Sequence, residues 1–147
     1  YQTIGVADTA DGRFDMLVLH IVLVVRRLRG EGAGGRTLAQ NLFDVFFQDI
    51  DRNLREMGVS DMGVPKRVRA MAEAFYGRAG VYDAALDAAG AEGLNAALER
   101  NVFDGAAPDA ALDRLAAYML ACENRLAHTS GAAIAASTCS CPRCSEA

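Results

Sequence analysis

The chain has 147 residues, 52% of them apolar, no tryptophan and a formal net charge of −4. That length suits one domain with a real core. The acidic balance gives no overall basic field to hold nucleic acid, and abundant alanine and glycine favour packed helices over a β-sandwich. The chain opens at Tyr1 rather than at methionine, which reads as a processed product lacking an N-terminal segment. Tyr1 to Asp15 is polar and mixed, without a signal-peptide pattern. Three of the four cysteines crowd into the last nine residues. A framework disulfide usually spans a fold, so a reducing compartment is expected.

Met16 to Val25 is the most apolar stretch, with nine apolar residues in ten. At about 1.5 Å per residue it is about 15 Å long, half of a hydrocarbon core about 30 Å thick. Asp15 and Arg26 close its ends, so it does not span a bilayer. Val18, Ile21, Val22, Val24 and Val25 are β-branched, but no later segment offers a partner for a buried strand. A central helix is therefore predicted from Phe14 to Leu28 or Arg29, apolar on all sides. His20 inside it is expected to be a neutral, hydrogen-bonded core residue. Arg26, Arg27 and Arg29 suit the negative end of the helix dipole. Gly30 can end the helix, and Gly32, Gly34 and Gly35 read as a flexible linker.

Thr37 can cap a second helix. Phe43, Phe47, Ile50, Leu54 and Met57 form its apolar stripe, widened by Leu42 and Phe46. Gly58 ends it, and Pro65 suits the first position of a third helix. Val68, Met71, Ala72 and Phe75 are the stripe there. "FYGRAG", residues 75–80, is expected to break or kink that helix, leaving a short one near Val81 to Ala89. A further short helix follows around Leu94 to Phe103. Pro108 starts the last long helix, with Leu112, Leu115, Met119, Cys122 and Leu126 as its stripe. These elements make an all-α single domain, an antiparallel helical bundle of about five to six helices. Residues 1–130 form the domain, and 131–147 a small-residue linker and Cys-rich tail.

Motifs for chemistry are sparse. "GEGAGG" lacks the strand and the lysine-serine pair of a phosphate loop. An enzyme using His20 with Asp83 or Tyr82 has no nucleophile paired in sequence, and no enzymatic role is expected. Cys139, Cys141 and Cys144 have a spacing that lets several thiolates reach one soft metal such as Zn²⁺. Cys122, His128 or a second copy of the chain offers a fourth ligand. A metal- or redox-sensing helical module built on this tail is the alternative reading.

"FDMLVLHIVLVVRRLR", "QNLFDVFFQDIDRNLREMGVSDMGVPKRVRAMAEAFYGR" and "YDAAL" resemble the ubiquinol–cytochrome c chaperone family, over about residues 11–103. The resemblance implies an all-helical, non-enzymatic assembly chaperone that binds newly made cytochrome b, or another subunit of the bc1 complex. It also implies a small partner subunit, the ribosome, and peripheral contact with the inner membrane. The expected location is the cytoplasmic face of that membrane, or the matrix face in mitochondria. Client or partner contacts are expected at Phe46, Asp51, Arg55, Met62, Tyr76, Arg78, Tyr82 and Asp83. Phe47, Met57, Met71 and Phe75 are further apolar candidates. Arg26, Arg27, Arg29, Lys66, Arg67 and Arg69 are expected to form one basic patch on one side of the bundle, facing membrane or RNA.

Overall fold

The computed structural model describes residues 4–88, 91–105 and 107–136. Its elements are α1 (Ala10–Leu28), a 3-10 turn (Arg29–Glu31), α2 (Gly32–Glu56), α3 (Val64–Asp87), α4 (Ala91–Val102), α5 (Asp109–Ala127) and α6 (Gly131–Ala135). No strand occurs among the described residues. Thr9 starts α1, its side chain accepting from the Gly12 amide. The apolar run then packs against α2, α3, α4 and α5. Val18, Leu19, Val22 and Leu23 are buried, so α1 is the central helix expected, although Leu17 stays exposed.

Ring contacts and ion pairs fix the directions. Phe14 stacks on Phe46, and Phe43 meets Phe75, so α2 runs back along α1 and α3 runs back along α2. Arg26 reaches Asp87 and Glu123, near the ends of α3 and α5. Thus α1, α3 and α5 run one way and α2 and α4 the other. Ile4 and Val6 precede the bundle as a short buried segment that the polar reading of the N-terminus had not anticipated.

Three local expectations change. The glycine-rich stretch is not a linker: α2 begins at Gly32, and Thr37 lies inside it, donating to the Ala33 carbonyl. Gly35 is buried at the α1–α2 corner, where a Cβ would sit 2.2 Å from the Leu28 carbonyl oxygen. The close crossing, not flexibility, is what glycine provides there. Residues 75–80 do not break α3, which continues unbroken to Asp87. Gly77 and Gly80 keep helical backbone because neighbouring turns supply the ladder on both sides. Residues 131–135 form a helical turn, with Ile134 packed on the core.

The end of α2 follows expectation. Gly58 has φ 81°. The Val59 amide donates to the Leu54 carbonyl and the Gly58 amide to that of Arg55, closing the last turn with a left-handed glycine.

Candidate functional site

Helices α2 and α5 flank α1 without closing over it. The gap is a groove of about 520 Å³, floored by His20, Leu23, Val24 and Leu28. Leu38, Asn41, Leu42 and Val45 of α2 form one wall, and Cys122 and Leu126 of α5 the other. These residues recur at three- and four-residue steps, so each helix gives one continuous edge. Val45 is 62% exposed and Leu17, one turn before His20, is 52% exposed. Apolar surface therefore continues from the groove onto the outside of the protein. Ile134 and Ala135 of α6 stand at one end.

Polar groups in the groove are few: Asn41, exposed on the α2 wall, and His20, whose two ring nitrogens are engaged. His20 Nδ1 lies 2.6 Å from the Met16 carbonyl oxygen, which only accepts, so Nδ1 carries hydrogen. In the neutral ring, Nε2 then accepts from the Tyr118 hydroxyl at 2.8 Å. The ring also packs edge-on against Tyr118. Both nitrogens being occupied, His20 is not brought to Asp83 or Tyr82. It ties α1 to α5 by hydrogen bonds as expected, but from the half-buried groove floor rather than from within the core.

A smaller slot of about 230 Å³ lies between α1, α2 and α3. Phe43, Phe75, Tyr76 and Ala79 line it, with Arg29 and Arg36. Tyr76, expected at a client surface, is exposed here, and Met62 is 93% exposed at the α2–α3 turn. Phe75 is buried, whereas Phe47 and Met71 are half-buried against the core and Met57 is exposed.

The other expected contact residues point elsewhere. Phe46 and Tyr82 are buried in the core and offer no surface to a partner. Arg78 turns inward, 2.9 Å from Asp15, and lies over the Phe14 ring. Burial pushes the Asp15 carboxyl above its usual range, although the Arg78 charge opposes this. Burial, and then Asp15, likewise push the Tyr82 hydroxyl up. Asp83 is held by Arg29 at 2.7 Å and by Arg26 at 3.5 Å. Asp51 and Arg55 pair with each other at 2.7 Å, and Arg55 also reaches Asp61.

The single basic patch is replaced by two separate groups. Arg26 donates to Asp87 and Glu123 at 2.6 and 2.9 Å, and hydrogen bonding, from Asp87 first, raises its already high pKa. Arg27 donates to the carbonyls of Leu126 and Thr129 and pairs with Glu31. These arginines lock the ends of α1, α3 and α5 together. Lys66, Arg67 and Arg69 lie at the opposite end, because the 25 residues of α2 carry the chain back roughly 37 Å. Arg69 pairs there with Glu73.

Cys139, Cys141 and Cys144 lie outside the described residues. Among the described residues no three metal-ligating side chains come together. Cys122 is buried in the groove wall, and His128 Nδ1 bonds the Asn124 carbonyl at the end of α5.

The described residues thus form a helical bundle with an open apolar groove along its central helix. The chain belongs to the ubiquinol–cytochrome C chaperone family, whose model matches residues 2–141. That match is longer than the one legible by eye and takes in Cys139 and Cys141. The chain is 24% identical over 83 residues to ubiquinol-cytochrome-c reductase complex assembly factor 1 of Xenopus laevis. This aligned part is 56% of the chain and 42% of the frog protein, so it spans less than half of that relative. Its fold is similar to the crystal structure of the Cbp3 homolog from Brucella abortus, with a TM-score of 0.83 and 45% identity. That similarity covers 96% of this chain and 78% of the other.

Proposed function

We propose that this chain is an assembly chaperone for ubiquinol–cytochrome c reductase that holds newly made cytochrome b by an apolar helical segment. The observation that carries this reading is the open groove between α2 and α5, continuous with exposed Leu17 and Val45. A membrane subunit outside the bilayer must cover its apolar helices, and burial returns about 25 cal/mol for each Å² of apolar area. Both ring nitrogens of His20 already have partners, so an apolar guest does not strand them. No catalytic constellation is needed for holding, and the reading is non-enzymatic.

The same proposal places the chain at the inner-membrane surface, cytoplasmic in a bacterium. No described helix is long and apolar enough to cross a membrane. Met57 and Met62 stand exposed at the α2–α3 turn, just before Lys66 and Arg67. Apolar side chains beside cations suit an anionic lipid surface. A small partner subunit and the ribosome belong to the proposal through the family resemblance alone.

The test is photo-crosslinking in cells making the bc1 complex, with a photoreactive residue at Val45 or, as a control, at Glu73 on α3. Cytochrome b is expected in the Val45 adduct and not in the Glu73 adduct. Equal labelling from both positions, or none from Val45, would sink the groove as the holding site.

A further inference from the structure

We propose that α6 is a displaceable plug: this docked turn and an incoming apolar helix compete for one end of the groove. This deepens, and rests on, the reading of the groove as a helix-holding site.

The placement of α6 is the first observation. It is five residues long, and none of them is buried. Ile134 packs on the core, Gly131 and Ala133 are half-buried, and Ala135 borders the groove. A single turn has almost no helical stability by itself, so α6 is helical only while it is docked.

The second observation is the space around it. On the far side of α6 lies another opening of about 520 Å³, lined by Leu28, Glu31, Gly34, Gly35 and Thr37, with Gly131 and Ala132. Leu28, Leu38, Asn41 and Ala135 border both spaces. The turn thus divides one cleft that it does not fill. With α6 swung out, the two halves join along α2 from Gly34 to Val45, about 16 Å or three helical turns.

The third observation is how α6 is held. Arg27 donates to the carbonyls of Leu126 and Thr129, and Ser130 caps the turn by accepting from the Ala133 amide. Gly131 lies over the Glu31 carboxylate, where a Cβ would come within 2.6 Å of an oxygen. These contacts anchor the root of the segment, Leu126 to Gly131. The tip depends on Ile134. Release of the tip therefore leaves the root and the bundle in place, as a strap opens from its buckle. The guest that takes this end must present what Ile134 presents, a branched apolar side chain on a helix with small neighbours.

The probe is a labelled apolar helical peptide of about 20 residues in mild detergent, titrated against the full chain. Ile134→Asp frees the tip, and Ile134→Ala does so more gently. Both are expected to speed amide exchange across residues 131–136 and to bind the probe about three- to tenfold more tightly, with the bundle's melting temperature unchanged. Val45→Arg, at the other end of the groove, is expected to weaken binding in every background. Faster exchange with unchanged affinity, while Val45→Arg still weakens binding, would overturn the plug and leave the groove standing. Weaker binding in both Ile134 variants would make α6 a wall of the site and overturn the plug. Insensitivity to Val45→Arg would remove the groove reading itself, and the plug with it.

Discussion

At the scale of single residues, the pair Asp15–Arg78 shows how closely opposed the energies in this core are. Asp15 is 6% exposed and its oxygen lies 2.9 Å from the guanidinium. Desolvation costs each ion several kcal/mol, and their attraction roughly returns it. Breaking the pair is another matter, because the remaining charge is left buried. Asp15→Leu or Arg78→Met alone is expected to cost about 3–5 kcal/mol in urea unfolding, and the double variant about 1 kcal/mol or less. The pH dependence has an unusual sign. Burial holds the folded carboxyl above its ordinary 3.8, so the folded state binds this proton more tightly than the unfolded state. Its stabilising contribution is complete below the unfolded value and is lost as pH rises through the folded value. Asp15→Asn should therefore gain on the parent in melting temperature as pH is raised from about 4 to about 6. A gap moving the other way would show that Arg78 overcomes the burial penalty. Asp15 was visible in the sequence only as the polar end of an apolar run. Its partner Arg78 lies in another helix, far along the chain, and carries no local signal.

At the scale of elements, α3 separates what glycine means in sequence from what it does in a helix. "FYGRAG" predicts a break, since each helical glycine costs about 1 kcal/mol relative to alanine. The helix nevertheless continues to Asp87, because Phe75, Tyr82, Ala85 and Leu86 bury one face on both sides of the glycines. Packing over 24 residues outweighs two local penalties. A Cβ at Gly77 or Gly80 meets nothing within 4 Å, and neither has positive φ. Gly77→Ala and Gly80→Ala are expected to stabilise by about 0.5–1 kcal/mol each, read as a raised melting temperature. Gly35→Ala should do the reverse, since its Cβ would strike backbone at the α1–α2 corner. A loss of stability at residue 77 or 80 would mean that the helix is bent there. Periodic stripes made α2, the start of α3 and α5 legible, because burial of one face repeats at the helical period, whereas α1 was legible as a short run apolar on all sides. The corner and the docked turn were not legible: glycine- and alanine-rich segments look alike whether they are loose or tightly crossed. The groove escaped for a similar reason, since it depends on the separation of two helices that pack on a third.

At the scale of the whole molecule, the two ends of the bundle use their cations for different purposes. Residue spacing placed Arg26, Arg27 and Arg29 at the end of α1, and Lys66, Arg67 and Arg69 at the start of α3. It could not say that acids from other helices would meet the first group. Arg26 faces Asp83, Asp87 and Glu123, while the carbonyls of Leu126 and Thr129 occupy Arg27. These contacts join three parallel helices where each presents negative dipole ends, so the arginines offset a repulsion built into the topology. Arg26→Ala is therefore expected to lower stability by about 2 kcal/mol, an effect of half-buried, charge-assisted bonds that salt screens only partly. Lys66 and Arg67 stand in the first turn of α3, where the dipole disfavours a cation. Lys66→Glu and Arg67→Glu should each leave the fold unharmed or raise its stability by about 0.3–1 kcal/mol. Melting curves of the three variants at low and high salt decide between this division of labour and a uniform basic surface. A uniform surface would give small, equal, salt-sensitive changes at all three positions. A loss at Arg26 that persists in salt, with no loss at Lys66 or Arg67, is what the ion pairs across α1, α3 and α5 require.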